Sequence, residues 1–325
     1  MFQIVVIGGG PVGIFCCFML GVFGFKKICI VEASEMLGGK CAHLFPEKNV
    51  YDVAGLPRIK GAELVQNLQE QLELFRPEVM LETQVSKIIR REGGFILSTN
   101  RGEIEASKVI ICCGKGTINP RKPKIPGFQE AEAAGAMRYS LKELELFRGK
   151  DVVVGGGGDS ALDWCFELQD IAKSITLVHR SALRAAKSSQ ERLLQMAEAG
   201  ECRLLMPVEL DAIECGENNW TLSVRSGEEI DKLPFDYFIP CYGSEVDRRS
   251  AAALVEDLDV ELSEEGIILT KDFRTTEPGL YYVPAASWLT VGFSMALQAA
   301  QIASKDVYGE QDIPHSSSNP IFGGC

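Results

Sequence analysis

No Cys-x-x-Cys pair occurs anywhere in the 325 residues, and only three residues are histidine. The first absence removes the adjacent dithiol on which disulfide exchange usually runs, and the second leaves too few imidazoles for a His-rich metal cluster. No acidic or basic residue stands between Met1 and Lys26. Such a stretch would pass for a signal peptide or a membrane span, yet it has no basic leading region or small-residue cleavage site, and Gly8-Gly9-Gly10-Pro11 interrupts it. We read it as a buried strand and helix of a soluble, cytoplasmic protein. Basic charge is also in deficit, with 33 Lys and Arg against 45 Asp and Glu and a net charge of −12. That balance argues against nucleic acid or an anionic membrane as a partner.

What is present is a chain long enough for about two domains. Of its 11 cysteines, Cys16, Cys17, Cys29, Cys112, Cys113, Cys165, Cys215 and Cys241 fall in apolar or strand-like runs. We expect these to be buried free thiols in a reducing compartment.

The chain is organised around Ile4 to Glu32. Four apolar residues run into Gly8-Gly9-Gly10-Pro11-Val12-Gly13, an apolar segment of helix length follows, and Ile28 to Val31 end in an acid. Strand, glycine turn, helix, strand and acid make a dinucleotide-binding unit. Gly8 allows the turn, Gly10 lets backbone approach a pyrophosphate, and Gly13 lets the helix pack on the strand. The helix N-terminus faces the phosphates with free N–H groups. Glu32 stands where a carboxylate accepts from a ribose hydroxyl.

Met36 to Lys48 reads as a loop with paired glycines and one aromatic, Phe45. Gly61 to Phe75 has the apolar spacing of an amphipathic scaffold helix. Val79 to Val85, Ile88 to Ile89, Phe95 to Thr99 and Glu103 to Glu105 read as short strands. Lys108 to Gly116 reads as a strand returning to the first sheet. The Pro-rich segment Asn119 to Gly127 reads as a linker, and its Arg121, Lys122 and Lys124 as either a solvated face or a docking patch.

The opening pattern then recurs. Asp151 to Gly155 lead into Gly156-Gly157-Gly158-Asp159-Ser160-Ala161, a helix from Leu162 to about Ala172 and a strand from Ser174 to Val178. The second strand ends in His179-Arg180-Ser181-Ala182-Leu183-Arg184, with no acid, and a basic end of this kind suits a 2′-phosphate. Glu191 to Ala199 reads as helix. The runs near Leu204, Val208 to Ile213, Trp220 to Val224 and Phe235 to Cys241 read as strands. Beyond Ser244 we expect strands at Ile267 to Thr270 and Leu280 to Val283, and a helix from Ser294 to Ser304 that completes the first sheet.

The fold class is therefore α/β, with two Rossmann-like nucleotide-binding domains of three-layer ββα/βα type, the second inserted into the first. We place one domain at 1–118 plus 245–325 and the other at 119–244. Over nearly its whole length the sequence resembles the thioredoxin-reductase-like (type 2) ferredoxin–NADP(+) reductases, flavoproteins with two dinucleotide-binding domains. The matches are IGGGPVGIF, LGGKCAHLFPEKNVYDVAGLP, CGKGTINPRK, GGGDSALDW, HRSALRA and HSSS. The resemblance implies FAD on the first unit and NADPH on the second, hydride transfer from NADPH to flavin, and single-electron delivery to ferredoxin or flavodoxin by a homodimer. It also implies that Glu32, Lys40, Phe45, Val85, Ile118 and Ser317 contact FAD and that His315 covers a flavin face, as a shield or proton donor. Gly156, Gly158, Asp159, Ser160, Ala161, His179, Arg180 and Arg184 fall to NADPH.

Three departures from the family pattern stand out. Lys40 replaces a usual Gln, Ser181 replaces the second arginine of the basic motif, and Ala285 stands where an FAD-binding Asp is expected. Two alternatives stay open at this point: a thioredoxin-type disulfide reductase, and an NADPH-binding module without flavin turnover.

Overall fold

A computed structural model describes residues 1–114, 116, 118–139, 144–216, 219–246, 251–263, 266–267, 269 and 272–309. The described residues form two compact units, one of Met1–Ile118 with the residues from Val246 onward, the other of Asn119–Glu245.

The first unit is built on five strands in parallel. Leu280–Tyr282, Val109–Ile111, Ile4–Ile7, Ile28–Val31 and Glu78–Met80 lie in that spatial order. A parallel sheet is covered on both faces, so its strands read as unbroken apolar runs. Residues of the central strand accordingly divide by parity. Ile4 and Val6 pack under the helices Pro11–Val22, Gly61–Glu73 and Leu289–Tyr308, while Val5 and Ile7 pack against a three-stranded antiparallel meander, Val85–Arg91, Gly94–Thr99 and Gly102–Ala106.

The uncharged opening stretch follows from this packing. Pro11–Val22 is pressed between the sheet and the helix Leu289–Tyr308, whose inner face carries Gly292, Ala296, Ala299, Ala300 and Ala303. A Cβ on Gly292 would come within 2.6 Å of Val12 Cγ2, so the small residue sets how closely the helices approach. No described helix is long and apolar enough to cross a membrane.

The second unit repeats the plan. Arg203–Leu205, Ser174–Val178, Asp151–Gly155 and Tyr237–Pro240 form a parallel sheet. Val152 and Val154 pack under the helices Asp159–Leu168 and Lys187–Glu198, and Val153 packs against the meander Glu209–Cys215, Trp220–Ser226 and Glu229–Phe235. Two strands at its borders, Ile118–Pro120 and Ser244–Val246, pair with each other, so the Pro-rich linker starts as a strand.

Several elements differ from the sequence reading. Gly39–His43 is a short helix, not loop. The expected strand Val79 to Val85 is broken at Glu82, whose φ of +48° leaves the extended region, and Val85 opens the meander instead. The helix expected to run to Ala172 stops at Leu168, and Glu229–Phe235 is a strand that the reading omitted. Cys215, expected to be buried, is exposed at the end of an outer meander strand, where it pairs with Trp220 on one side only.

Candidate functional site

Each unit carries a glycine loop between its central strand and first helix, and strand register puts the two into residue-by-residue correspondence. Ile7 pairs with Val31, and Gly155 pairs with Val178. Gly8 therefore corresponds to Gly156, Gly10 to Gly158, Gly13 to Ala161 and Glu32 to His179.

In the first loop Gly8 has φ +107°, and a Cβ there would lie 2.6 Å from the Cys112 carbonyl oxygen. A Cβ on Gly13 would fall on the Gly8 carbonyl oxygen itself. A Cβ on Gly10 would meet nothing within 4 Å. Two glycines are thus required by the protein's own backbone, whereas the third keeps an open face at the N-terminus of the helix Pro11–Val22. An open backbone face at a helix N-terminus suits a phosphate. The second loop repeats this, with Gly156 at φ +145° against the Cys241 carbonyl and Gly158 open. Ala161 is wholly buried, and Ser160 is exposed on the helix's first turn.

The loops differ at the end of the second strand. Glu32 accepts from Gly9 N–H at 2.7 Å through one carboxylate oxygen and from Ser34 N–H at 2.8 Å through the other. That fixes an acid beside the first loop. His179 occupies the same place beside the second, and its ring lies where a Cβ of Gly157 would be. Its imidazole is 6% exposed, and Ser181 Oγ is 3.3 Å from Nε2. Burial, and then the charges of Arg184 and Arg180, hold its pKa below the ordinary 6.5 against the opposing pull of a backbone bond with Ala182. Arg180 and Arg184 are both exposed.

The sign of this shift sets a pH dependence. Below about pH 6.5 the unfolded chain binds a proton that the folded imidazole resists, so stability is full above that value and falls as pH drops toward the lower folded pKa. Urea midpoints should therefore fall between about pH 7.5 and 5.5, and His179→Gln should flatten that part of the profile. An unchanged slope in the variant would assign the loss to other groups.

The remaining sequence candidates of the first unit lie around the loop. Gly38 N–H donates to Gly9 O at 2.7 Å, and a Cβ on Gly39 would come 3.0 Å from Gly10 Cα, so the short helix bearing Lys40 abuts the open glycine. Lys40 is exposed and Phe45 half-buried, with Lys48 Nζ 5.4 Å from the Phe45 ring centroid. His43 Nε2, in the same helix, is buried with no hydrogen-bond partner among the described residues. Val85 is 7% exposed, so its side chain belongs to the core under the meander. Ile118 lies in the border strand; His315 and Ser317 lie outside the described residues.

One residue that sequence reasoning missed is Asp52. Ala285 offers no carboxylate before the helix Leu289–Tyr308, but Asp52 Oδ2 accepts from Leu289 N–H at 2.5 Å and its carbonyl accepts from Thr290 Oγ1. Asp52 lies inside the LFPEKNVYDVAGLP block, yet its target is 237 residues away and leaves no local signal. Two cysteines near this loop are held toward the protonated thiol. Burial, then Asp52, pushes the Cys41 thiol up to about 11, and burial pushes Cys113 to about 11.

In the second unit Tyr242 Oη is buried without a hydrogen-bond partner, directly over Gly155. Orphaned polar atoms beside both loops, and an open third glycine in each, fit ligands that supply hydrogen bonds and phosphates.

Residues 2–305 match the family model for pyridine nucleotide-disulphide oxidoreductases. A ferredoxin–NADP reductase of Paramagnetospirillum magneticum is 42% identical over 98% of this chain and 97% of its own. Those of Granulibacter bethesdensis and Streptococcus mutans are each 33% identical, covering 99% and 98% of this chain and 94% and 96% of theirs. The fold is similar to thioredoxin reductases of Lactococcus lactis and T. acidophilum, with TM-scores of 0.75 and 0.76 at 24% and 21% identity over 94% of this chain and 99% and 98% of theirs. The chain belongs to the pyridine nucleotide-disulphide oxidoreductase family, within its thioredoxin-reductase-like ferredoxin–NADP reductases.

Proposed function

We propose that the chain is a ferredoxin–NADP(+) reductase that holds FAD on the Gly8–Gly13 loop and NADPH on the Gly156–Ala161 loop. The observation that carries this assignment is the difference between two otherwise matching loops. One is flanked by the fixed carboxylate of Glu32, an acceptor for ribose hydroxyls. The other is flanked by a buried imidazole held toward its neutral form and by Arg180 and Arg184, which repel no 2′-phosphate and offer it charge-assisted donors.

FAD held on the first loop would supply the hydride-accepting and single-electron chemistry that links NADPH to ferredoxin or flavodoxin. The protein's own part is placement. Gly10 and Gly158 admit diphosphates to helix N-termini, the short helix bearing Lys40 abuts Gly10, and Asp52 ties the Tyr51–Arg58 segment to the start of the helix Leu289–Tyr308. Encounter with an acidic carrier falls to Arg121 and Lys124, both exposed. Lys122 of the same segment pairs with Glu132 at 2.7 Å. The working form is a cytoplasmic homodimer; Trp288 and Val291, 64% and 48% exposed at the start of the helix Leu289–Tyr308, offer apolar surface to a second copy.

A thioredoxin-type activity would need a thiolate beside the flavin. The raised pKa values of Cys41 and Cys113 oppose it. Anaerobic NADPH should bleach flavin bands of the purified protein at near-stoichiometric FAD, and NADPH should then reduce a ferredoxin but not a dithiol-linked disulfide. Bands absent after FAD reconstitution would overturn the flavoprotein reading.

A further inference from the structure

We infer that Asp159 is a positioning residue for cofactor selection: it latches the Arg180–Ala186 segment onto the second glycine loop and so holds the arginines that choose between phosphorylated and unphosphorylated dinucleotides. The inference rests on the assignment of NADPH to that loop. Asp159 is the first residue of the helix Asp159–Leu168, directly after the open Gly158. An acid there lowers the helix-dipole energy but repels the diphosphate that the same N-terminus is shaped to receive. Its carboxylate is engaged elsewhere, because Oδ1 accepts from Ala186 N–H at 2.9 Å. Ala186 is the residue preceding the helix Lys187–Glu198 and has no side-chain cap of its own, so Asp159 satisfies its N–H across 27 positions.

A second bond shows that the latch acts on the basic segment as a whole. Arg184 N–H donates to Gly157 O at 2.6 Å, so both the arginine's own backbone and the residue two places later are pinned to the glycine loop. Arg180 leaves the strand one residue after His179, whose N–H and C=O are fixed by Leu205 O at 3.0 Å and Val208 N at 2.9 Å. The segment is thus anchored at its root by the sheet and at its far end by Asp159. The first loop shows what is special to the second. Gly38 N–H repeats the bond to the middle glycine, but Pro11 stands where Asp159 stands and has no acceptor side chain. A latch is present where phosphate discrimination is assigned and absent where Glu32 binds an unmodified ribose.

Calorimetric titration of the FAD-loaded protein with NADP+ and with NAD+, both oxidised so that no turnover occurs, reads the latch directly. Asp159→Ala should weaken NADP+ binding about 10-fold, the scale of one lost ordering hydrogen bond, and leave NAD+ unchanged or tighter, so that the preference collapses by that factor. Asp159→Asn keeps the acceptor and loses the charge. It should hold the preference within about twofold while both dinucleotides bind equally well or better. Melting curves without nucleotide establish that each variant is folded. A wild-type preference retained in D159A, or lost equally in D159N, would overturn the latch. A wild-type chain with no preference for NADP+ would overturn instead the assignment on which it rests.

Discussion

Purified Gly10→Val protein is expected to fold normally and to stay colourless, whereas Gly13→Ala is expected to lose much of its folding stability. The two glycines are three residues apart and belong to one motif, but their surroundings differ. Among the described residues a Cβ at position 10 meets no atom within 4 Å, so the variant's larger side chain occupies the open face at the start of the Pro11–Val22 helix. Filling that face removes the approach of a diphosphate to the free N–H groups, and flavin affinity should fall by about 100-fold or more, the effect of losing two or more charge-assisted bonds. A Cβ at position 13 lands on the Gly8 carbonyl oxygen, and Cys112 Cβ is a further 3.5 Å neighbour. Strand and helix would have to separate across the centre of the first core. Overpacking against fixed backbone costs at the upper end of the usual range, about 3 kcal/mol or beyond, a large share of the stability of an ordinary domain. Absorbance at the flavin bands and urea midpoints separate the two. A stable, colourless Gly13→Ala or a yellow Gly10→Val would show that the glycine roles are misassigned.

What could be read from the sequence was local. Both glycine loops, the strands around them and the return of Val109–Ile111 and Leu280–Tyr282 to the first sheet are carried by contiguous apolar runs, because strands of a covered parallel sheet have no polar face. The strand Glu229–Phe235 hid because it presents Glu229, Ile230, Asp231 and Lys232 to solvent and contains Pro234, so neither its composition nor its alternation signals a strand. The Gly39–His43 helix hid behind a Gly-Gly pair that reads as a turn; Gly38 is left-handed at φ +118°, and the helix begins immediately after it. The Asp52 and Asp159 bonds were illegible for another reason. Each joins a side chain to a backbone N–H in a different element, at separations of 237 and 27 residues, and a single sequence carries no trace of such a pairing.

The second loop allows the sharpest functional prediction. Arg180→Ala with Arg184→Ala should lower affinity for NADPH by about 2–4 orders of magnitude, about 1.5–3 kcal/mol for each charge-assisted contact, while NADH binding changes little. The reasoning is electrostatic and geometric together. Both side chains are exposed, so the unliganded protein gives up little packing when they are truncated, and the variant should keep its melting temperature. Ser181, between them, is a hydroxyl and cannot replace a guanidinium, so no third cation of this segment compensates. The imidazole beside them sharpens the effect. With its pKa held below the ordinary value by burial, His179 favours its neutral form and adds little attraction of its own for phosphate. Lowering the pH adds charge to the imidazole while the 2′-phosphate loses some, so the contribution of His179 is read as the difference in pH dependence between the double variant and the same variant carrying His179→Gln. Binding titrations of NADPH and NADH at about pH 7.5 and about pH 6 check both parts. Equal losses for the two dinucleotides would mean that the arginines hold the loop rather than read the phosphate, and the same pH dependence with and without His179 would remove His179 from the site.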